Sequence, residues 1–234
     1  MGYAIGILAR LIALICVFSP HEFAHAYIAY KNGDPTAKLR GRMSLNPLRH
    51  LDPIGYFLCA AVGFGWARPV PIDPYNFKNF KRGMFTTAIA GVVVNYIIAF
   101  FAYLIYVLII RFIWPISTTV TVTYYLCYFI EMTFFLTFAY SLYSVVFNLL
   151  PLFPLDGFRV VEALTRQVNP VQRFLRNYGQ MILIIIIVEG LICNIVAEYL
   201  PIAEKFSVLY YVSWFAQNII GFPIKAAWGW ILRI

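Results

Sequence analysis

Hydrophobic and polar positions divide this chain into long apolar runs separated by short polar, basic segments. A helix that crosses a bilayer needs about 20 mostly apolar residues. Four stretches meet that requirement: about 3–30, 84–114, about 120–150 and about 177–200. A further run, 206–232, is apolar and aromatic but contains Gly221, Pro223 and Lys225. It is expected as a fifth span with a break near Pro223, the alternative being an amphipathic helix lying in the interface. The run 54–66, "IGYFLCAAVGFGW", is too short to cross and reads as a re-entrant or interfacial element, with 64–66 as a membrane-dipping lip or an aromatic anchor.

The polar connections have their own pattern. Residues 31–53 are rich in turn formers, and 67–83, "ARPVPIDPYNFKNFKRG", repeat proline often enough to exclude helix and favour extended chain. The stretches 35–46 and 67–74 predict a small β-sheet, whose free edge can accept an unwound peptide as an added strand. The predicted fold is an α-helical polytopic membrane protein forming a single membrane-embedded domain over 1–234. A three-helix core lies within about 1–160, additional C-terminal spans within about 175–234, and the small sheet on the cytoplasmic side.

Composition supports the membrane class. The chain is 62% hydrophobic and 12% charged, against about 45–50% and about 25% in soluble domains. Its net charge of +8 belongs to loops that stay in the cytoplasm, not to a nucleic-acid partner, because no basic segment carries a reading motif. Lys31, Lys38, Arg40, Arg42 and Arg49 crowd one loop, Arg68, Lys78, Lys81 and Arg82 a second, and Arg159, Arg166, Arg173 and Arg176 a third. The connections 115–119 and 201–206 hold only Lys205. The three basic loops are therefore expected in the cytoplasm and the N-terminus outside, with Arg10 snorkelling to the outer interface. No cleavable signal pattern opens the chain, so the first run is expected to stay in the mature protein. Cys16, Cys59, Cys127 and Cys193 are scattered through apolar runs without a CxxC pair, so neither a disulfide framework nor a zinc ribbon is expected.

The candidate chemistry lies in the first run, at "FSPHEFAHAY" (18–27). His21 and His25 are one helical turn apart on one face, and two imidazoles so placed can bind one metal ion. Glu22, on a neighbouring face, is close enough to act on the water such an ion activates. Ionisable groups at lipid depth are costly and need a partner or a role. A catalytic zinc keeps three protein ligands and an open position. Asp156 in "NLLPLFPLDGFRV" is the better third candidate, because the third span delivers it to the side where the first delivers His25; His50 is the other. Read alone, "PLDG" could be a plain turn. Glu131 and Glu189, also within apolar runs, need partners of their own.

With both segments in view, the chain resembles the site-2 protease family of intramembrane metalloproteases. "HEFAH" (21–25) matches the family's first motif and "NLLPLFPLDG" (148–157) is similar to its second. Between them "GRMSLNPLRHLDPIG" (41–55) and "GFGWARPVPIDPYNF" (63–77) look like the compact subgroup without PDZ or CBS domains. The resemblance covers about 15–160 and implies one zinc per chain held by His21, His25 and Asp156, with Glu22 as general base. It implies that Asn148 helps to hold substrate or stabilise the oxyanion. It also implies single-span membrane proteins as substrates, a site near the cytoplasmic face and a prokaryotic plasma membrane as the location. On the middle core helix the family carries Gly, then Pro, then Asn; "AGVVVN" (90–95) keeps Gly91 and Asn95 but has Val92 in place of the proline, so no role is assigned to Asn95. Two other readings stand beside this one: a zinc or proton-coupled transporter, and a catalytically silent adaptor that keeps the fold. Oligomeric state stays open.

Overall fold

The computed structural model describes residues 2–62, 65–114, 121–165 and 169–232; Phe64, the 115–119 connection and Arg166 lie outside them. Nine helices run in chain order through the described residues: α1 (Gly2–Lys31), α2 (Thr36–Leu39), α3 (Pro53–Val62), α4 (Phe80–Leu108), α5 (Thr121–Asn148), α6 (Asp156–Leu164), α7 (Pro170–Ala197), α8 (Val208–Phe215) and α9 (Phe222–Leu232). Four segments are long and apolar enough to cross a membrane: Gly2–Lys31, Phe80–Ile113, Val122–Asn148 and Pro170–Ala197. The chain is a helical, multi-pass membrane protein. Helices α4 and α7 start before their apolar runs because asparagines cap them. The Asn79 side chain accepts the Arg82 N–H, and the Asn169 side chain accepts the Gln172 N–H with Pro170 following in the first turn. Helix α1 continues through Pro20, although the missing N–H deprives the Cys16 carbonyl of its helical donor.

Helices α1, α4 and α5 form the core, each antiparallel to the next. His25 meets Thr87 while His21 meets Asn95; Asn95 meets Ser144 while Tyr106 meets Phe135. Lipid offers no hydrophobic drive between helices, so close packing of small residues has to hold them. Ala9, Ala13, Ala24, Ala26 and Ala29 of α1 and Ala88, Ala90, Gly91, Ala99 and Ala102 of α4 are buried accordingly. Helix α7 is peripheral: Ile184, Ile185, Val188, Ile192 and Ile195 stay exposed, as a lipid-facing side requires.

The last apolar run is broken close to Pro223. Helices α8 and α9 have 8 and 11 residues, so neither crosses alone, and a wide turn, Ala216–Ile220, joins them. The bend falls at Gly221, where a Cβ would come within 2.7 Å of Leu142 and 2.8 Å of the Gln217 carbonyl. Pro223 sits in the first turn of α9, where its missing N–H breaks no helical bond. Ile224 and Ala216 pack against Ala99, Ala102, Phe138 and Leu142, and the Trp228 indole donates to the Phe100 carbonyl at 2.9 Å.

Among the described residues no strand forms, and the expected small β-sheet is not found. Thr36–Leu39 is helical. Residues 65–73 take no regular secondary structure, and three of their backbone donors are spent elsewhere: Arg68 on the His50 carbonyl, Val70 on Glu22 and Asp73 on Asp34. Pro69 and Pro71 have no N–H to offer a ladder. The result is a strap, and the fully buried Asp34 is its main anchor. Asp34 Oδ1 accepts the Thr36 N–H (3.0 Å), the Thr36 hydroxyl and the Asn76 amide (3.0 Å), while Oδ2 accepts the Asp73 N–H (2.8 Å).

Burial pushes the Asp34 carboxyl up, but the hydrogen bonds from Thr36, Asn76 and the Asp73 backbone outweigh it and hold it below its ordinary value. A carboxyl lowered on folding contributes stability that is full above the unfolded pKa, about 3.9, and is lost as pH falls through the folded value. Asp34→Asn is expected to lower stability at pH 7 by about 2–4 kcal/mol, because an amide N–H2 would face donors. Thermal unfolding in detergent, followed from pH 7 downward, should show the gap between variant and wild type closing below about pH 3.9.

Candidate metal centre

Helix α1 carries His21 and His25 on one face, both buried. Asp156 arrives from the chain that follows α5, as the first residue of α6 after the turn-rich stretch 149–155. That approach needs Gly157, since a Cβ there would lie 2.3 and 2.4 Å from the Leu149 and Leu150 carbonyl oxygens. Three atoms converge: His25 Nε2 is 2.9 Å from His21 Nε2 and 3.1 Å from Asp156 Oδ2, and His21 Nε2 is 3.3 Å from the same oxygen. Gly91 of α4 lies against them. A Cβ at Gly91 would approach His21 Cε1 and His25 Nε2 to 2.5 Å.

The donor set fits a cation. His25 Nδ1 lies 2.7 Å from the Thr87 carbonyl, which can only accept, so the proton sits on Nδ1 and Nε2 keeps its lone pair. Asp156 Oδ2 is buried and faces the Nε2 atoms of His21 and His25. With His21 also presenting the lone pair of Nε2, three electron-rich atoms would face one another at 2.9–3.3 Å, an arrangement that repels itself unless a positive ion stands among them. Ligands bound to zinc at about 2.0–2.2 Å stand roughly this far apart, and two imidazoles with one carboxylate form a recurrent catalytic set.

A protein of Bacillus subtilis (strain 168) named "Putative zinc metalloprotease YwhC" is 38% identical over 182 residues, covering 77% of this chain and 80% of that relative. The chain belongs to this zinc metalloprotease family. No family model matches it, and no solved structure matches it.

The remaining polar groups of the metalloprotease that the sequence singled out divide clearly. Glu22 is buried, and its Oε2 accepts the Val70 N–H at 2.7 Å. Asn148, half-buried at the end of α5, donates from its amide to Ser144 Oγ at 2.9 Å. His50 is not with the cluster: its ring donates to the Ser44 carbonyl at 2.6 Å and closes its own loop. Glu131 accepts the Trp114 indole N–H at 2.9 Å. Glu189 accepts the Val208 N–H and the Cys193 thiol, both at 3.3 Å. Those two acids join helical segments to one another.

Sequence reasoning left out Thr87, Ser144 and Val70 and gave no role to Gly91 and Asn95, all of which touch the candidate ligands, Glu22 or Asn148. Two signals were available. Gly91 and Asn95 are one turn apart on α4, and Thr133, Thr137, Ser141, Ser144 and Asn148 form one polar stripe along α5. Gly91→Ala is expected to reduce bound zinc well below one per chain, measured by elemental analysis of purified protein. Gly6→Ala, at a position with no neighbour within 4 Å, should leave zinc content unchanged.

Proposed function

We propose that this metalloprotease is an intramembrane endopeptidase that hydrolyses a peptide bond in or near the transmembrane segment of single-span membrane proteins. The observation that carries the reading is the burial of two imidazoles on a helix long enough to cross a bilayer, together with the carboxylate of Asp156, which follows a second such helix. In this reading His21, His25 and Asp156 hold one zinc ion. When bound, zinc lowers the pKa of water towards neutrality and polarises a carbonyl. Glu22 is the general base. With Oε2 held by the Val70 N–H, the other carboxylate oxygen takes the proton from the attacking water and passes it to the leaving amine. The Asn148 amide faces the scissile carbonyl and stabilises the charge that develops on its oxygen.

The basic segments support the orientation. The chain after α1, the strap before α4 and the chain after α5 all gather at one end of the bundle, since Asn32 bonds Thr86 and α6 packs on α4. By the bias of Lys and Arg towards the cytoplasm, that end faces inward. The site then lies near the cytoplasmic face of a prokaryotic plasma membrane, where water is within reach. A helical substrate must unwind to expose its carbonyl, and the strap 65–73, which already touches Glu22, is the surface along which the unwound segment lies.

Glu22→Gln is expected to lower cleavage of a single-span substrate by about 10²–10⁴-fold while leaving zinc content at the wild-type level. Equal cleavage by both proteins would remove Glu22 from the mechanism. Val70→Pro deletes the N–H that holds Glu22. It should cost about 10–100-fold in kcat, with zinc retained and Val70→Ala close to wild type, read from turnover at saturating substrate.

A further inference from the structure

We propose that Asn95 and Ser144 are positioning residues that lock His21 in its metal-binding form and tie it to Asn148. The inference rests on the metalloprotease reading above and concerns residues to which that reading gives no task.

The argument begins with protons. The atom His21 offers to the cluster is Nε2, 2.9 Å from His25 Nε2 and 3.3 Å from Asp156 Oδ2. To ligate through Nε2, a neutral imidazole must carry its proton on Nδ1. His25 meets this condition through the Thr87 carbonyl. His21 Nδ1 instead faces the side-chain amide of Asn95, at 3.1 Å. An amide nitrogen there would require Nδ1 to accept. The His21 proton would then move to Nε2 and point into the cluster. The amide oxygen has nearly the same size and shape as the nitrogen, and the hydrogen-bond network decides which of them occupies the position. The oxygen satisfies it: Asn95 Oδ1 accepts from His21 Nδ1–H.

The same assignment sets the next link. The Asn95 amide atom that faces His21 is also 2.9 Å from Ser144 Oγ. With oxygen in that place, the Ser144 hydroxyl donates to it. Ser144 Oγ keeps lone pairs and accepts the Asn148 amide N–H at 2.9 Å. Donation then runs in a single direction from Asn148 through Ser144 to Asn95, where it meets the proton of His21, and the Asn95 amide N–H2 takes the other, buried place, which has no hydrogen-bond partner. Asn95 is fully buried and Ser144 nearly so, and polar side chains at such depth are costly without partners. The chain crosses from α1 to α4 to α5. It therefore fixes the ring of one ligand and the amide of Asn148 with the same set of bonds.

Groups that hold the far nitrogen of a ligand histidine typically govern metal affinity by about 10–100-fold. The test is zinc affinity of the full-length protein in detergent, by competition with a chromophoric chelator. Asn95→Leu, which removes the acceptor at similar volume, is expected to weaken zinc by about 10–100-fold. Asn95→Asp, which keeps an acceptor and cannot donate, should stay within a few-fold of wild type. Elution profile and thermal unfolding check that each variant is folded. Asn95→Leu binding as tightly as wild type, or Asn95→Asp binding as weakly as Asn95→Leu, overturns the assignment. Zinc absent from the wild type would instead sink the metal site itself. At saturating zinc, Ser144→Ala should lower kcat more than it changes KM, and adding Asn148→Ala should cost little beyond the single change. Losses that simply multiply would overturn the link between Ser144 and Asn148.

Discussion

Three electron-rich atoms, drawn from α1 and α6, face one another at 2.9–3.3 Å inside a helical bundle built for lipid. Low dielectric magnifies both their mutual repulsion and the gain from a cation among them. Much else in the molecule serves that convergence. Gly91 is a glycine because a methyl group would displace both imidazoles. Gly157 is a glycine because the chain turns so tightly into Asp156. Thr87 offers a carbonyl, not a donor, so that His25 points its lone pair inward.

Lipid makes the packing around that point exacting. Helices in a bilayer gain little from being apolar, so α1 and α4 approach through alanine and glycine, and polar side chains bridge them at metal depth. The polar stripe of α5 divides accordingly. Thr133 and Thr137 return their hydroxyls to carbonyls of their own helix, while Ser144 reaches across to α4. Residues of the same type on one face thus do different things, depending on how near they are to the ligands.

Outside the spans, carboxylates organise the chain where a sheet was expected. Asp34 gathers the end of α1, the start of α2 and the strap into one hydrogen-bonded knot. Glu22 takes the Val70 N–H. Because prolines leave the strap few donors, these two acids are enough to replace a strand partner. The strap is held beside the metal centre at both a structural and a chemical contact.

The sequence by itself determined the four long spans, since about 20 apolar residues suffice to cross a bilayer whatever surrounds them. It also determined that His21 and His25 share a face, because the period of a helix is local. That Asp156 stands beside them was legible only as a pairing of motifs, through the end of the span that delivers it. Tertiary structure decided the rest. No local pattern says that the donors of 67–73 go to Glu22 and Asp34, so the sheet was expected and a strap formed. The break expected near Pro223 falls at Gly221, where Leu142 of α5 fills the space a side chain would need. Asn95 and Ser144 meet across 49 residues of chain, and the departure at Val92 hid the one from view. Local periodicity fixes which way a side chain faces along its own helix; which partner waits there depends on packing between helices far apart in the chain.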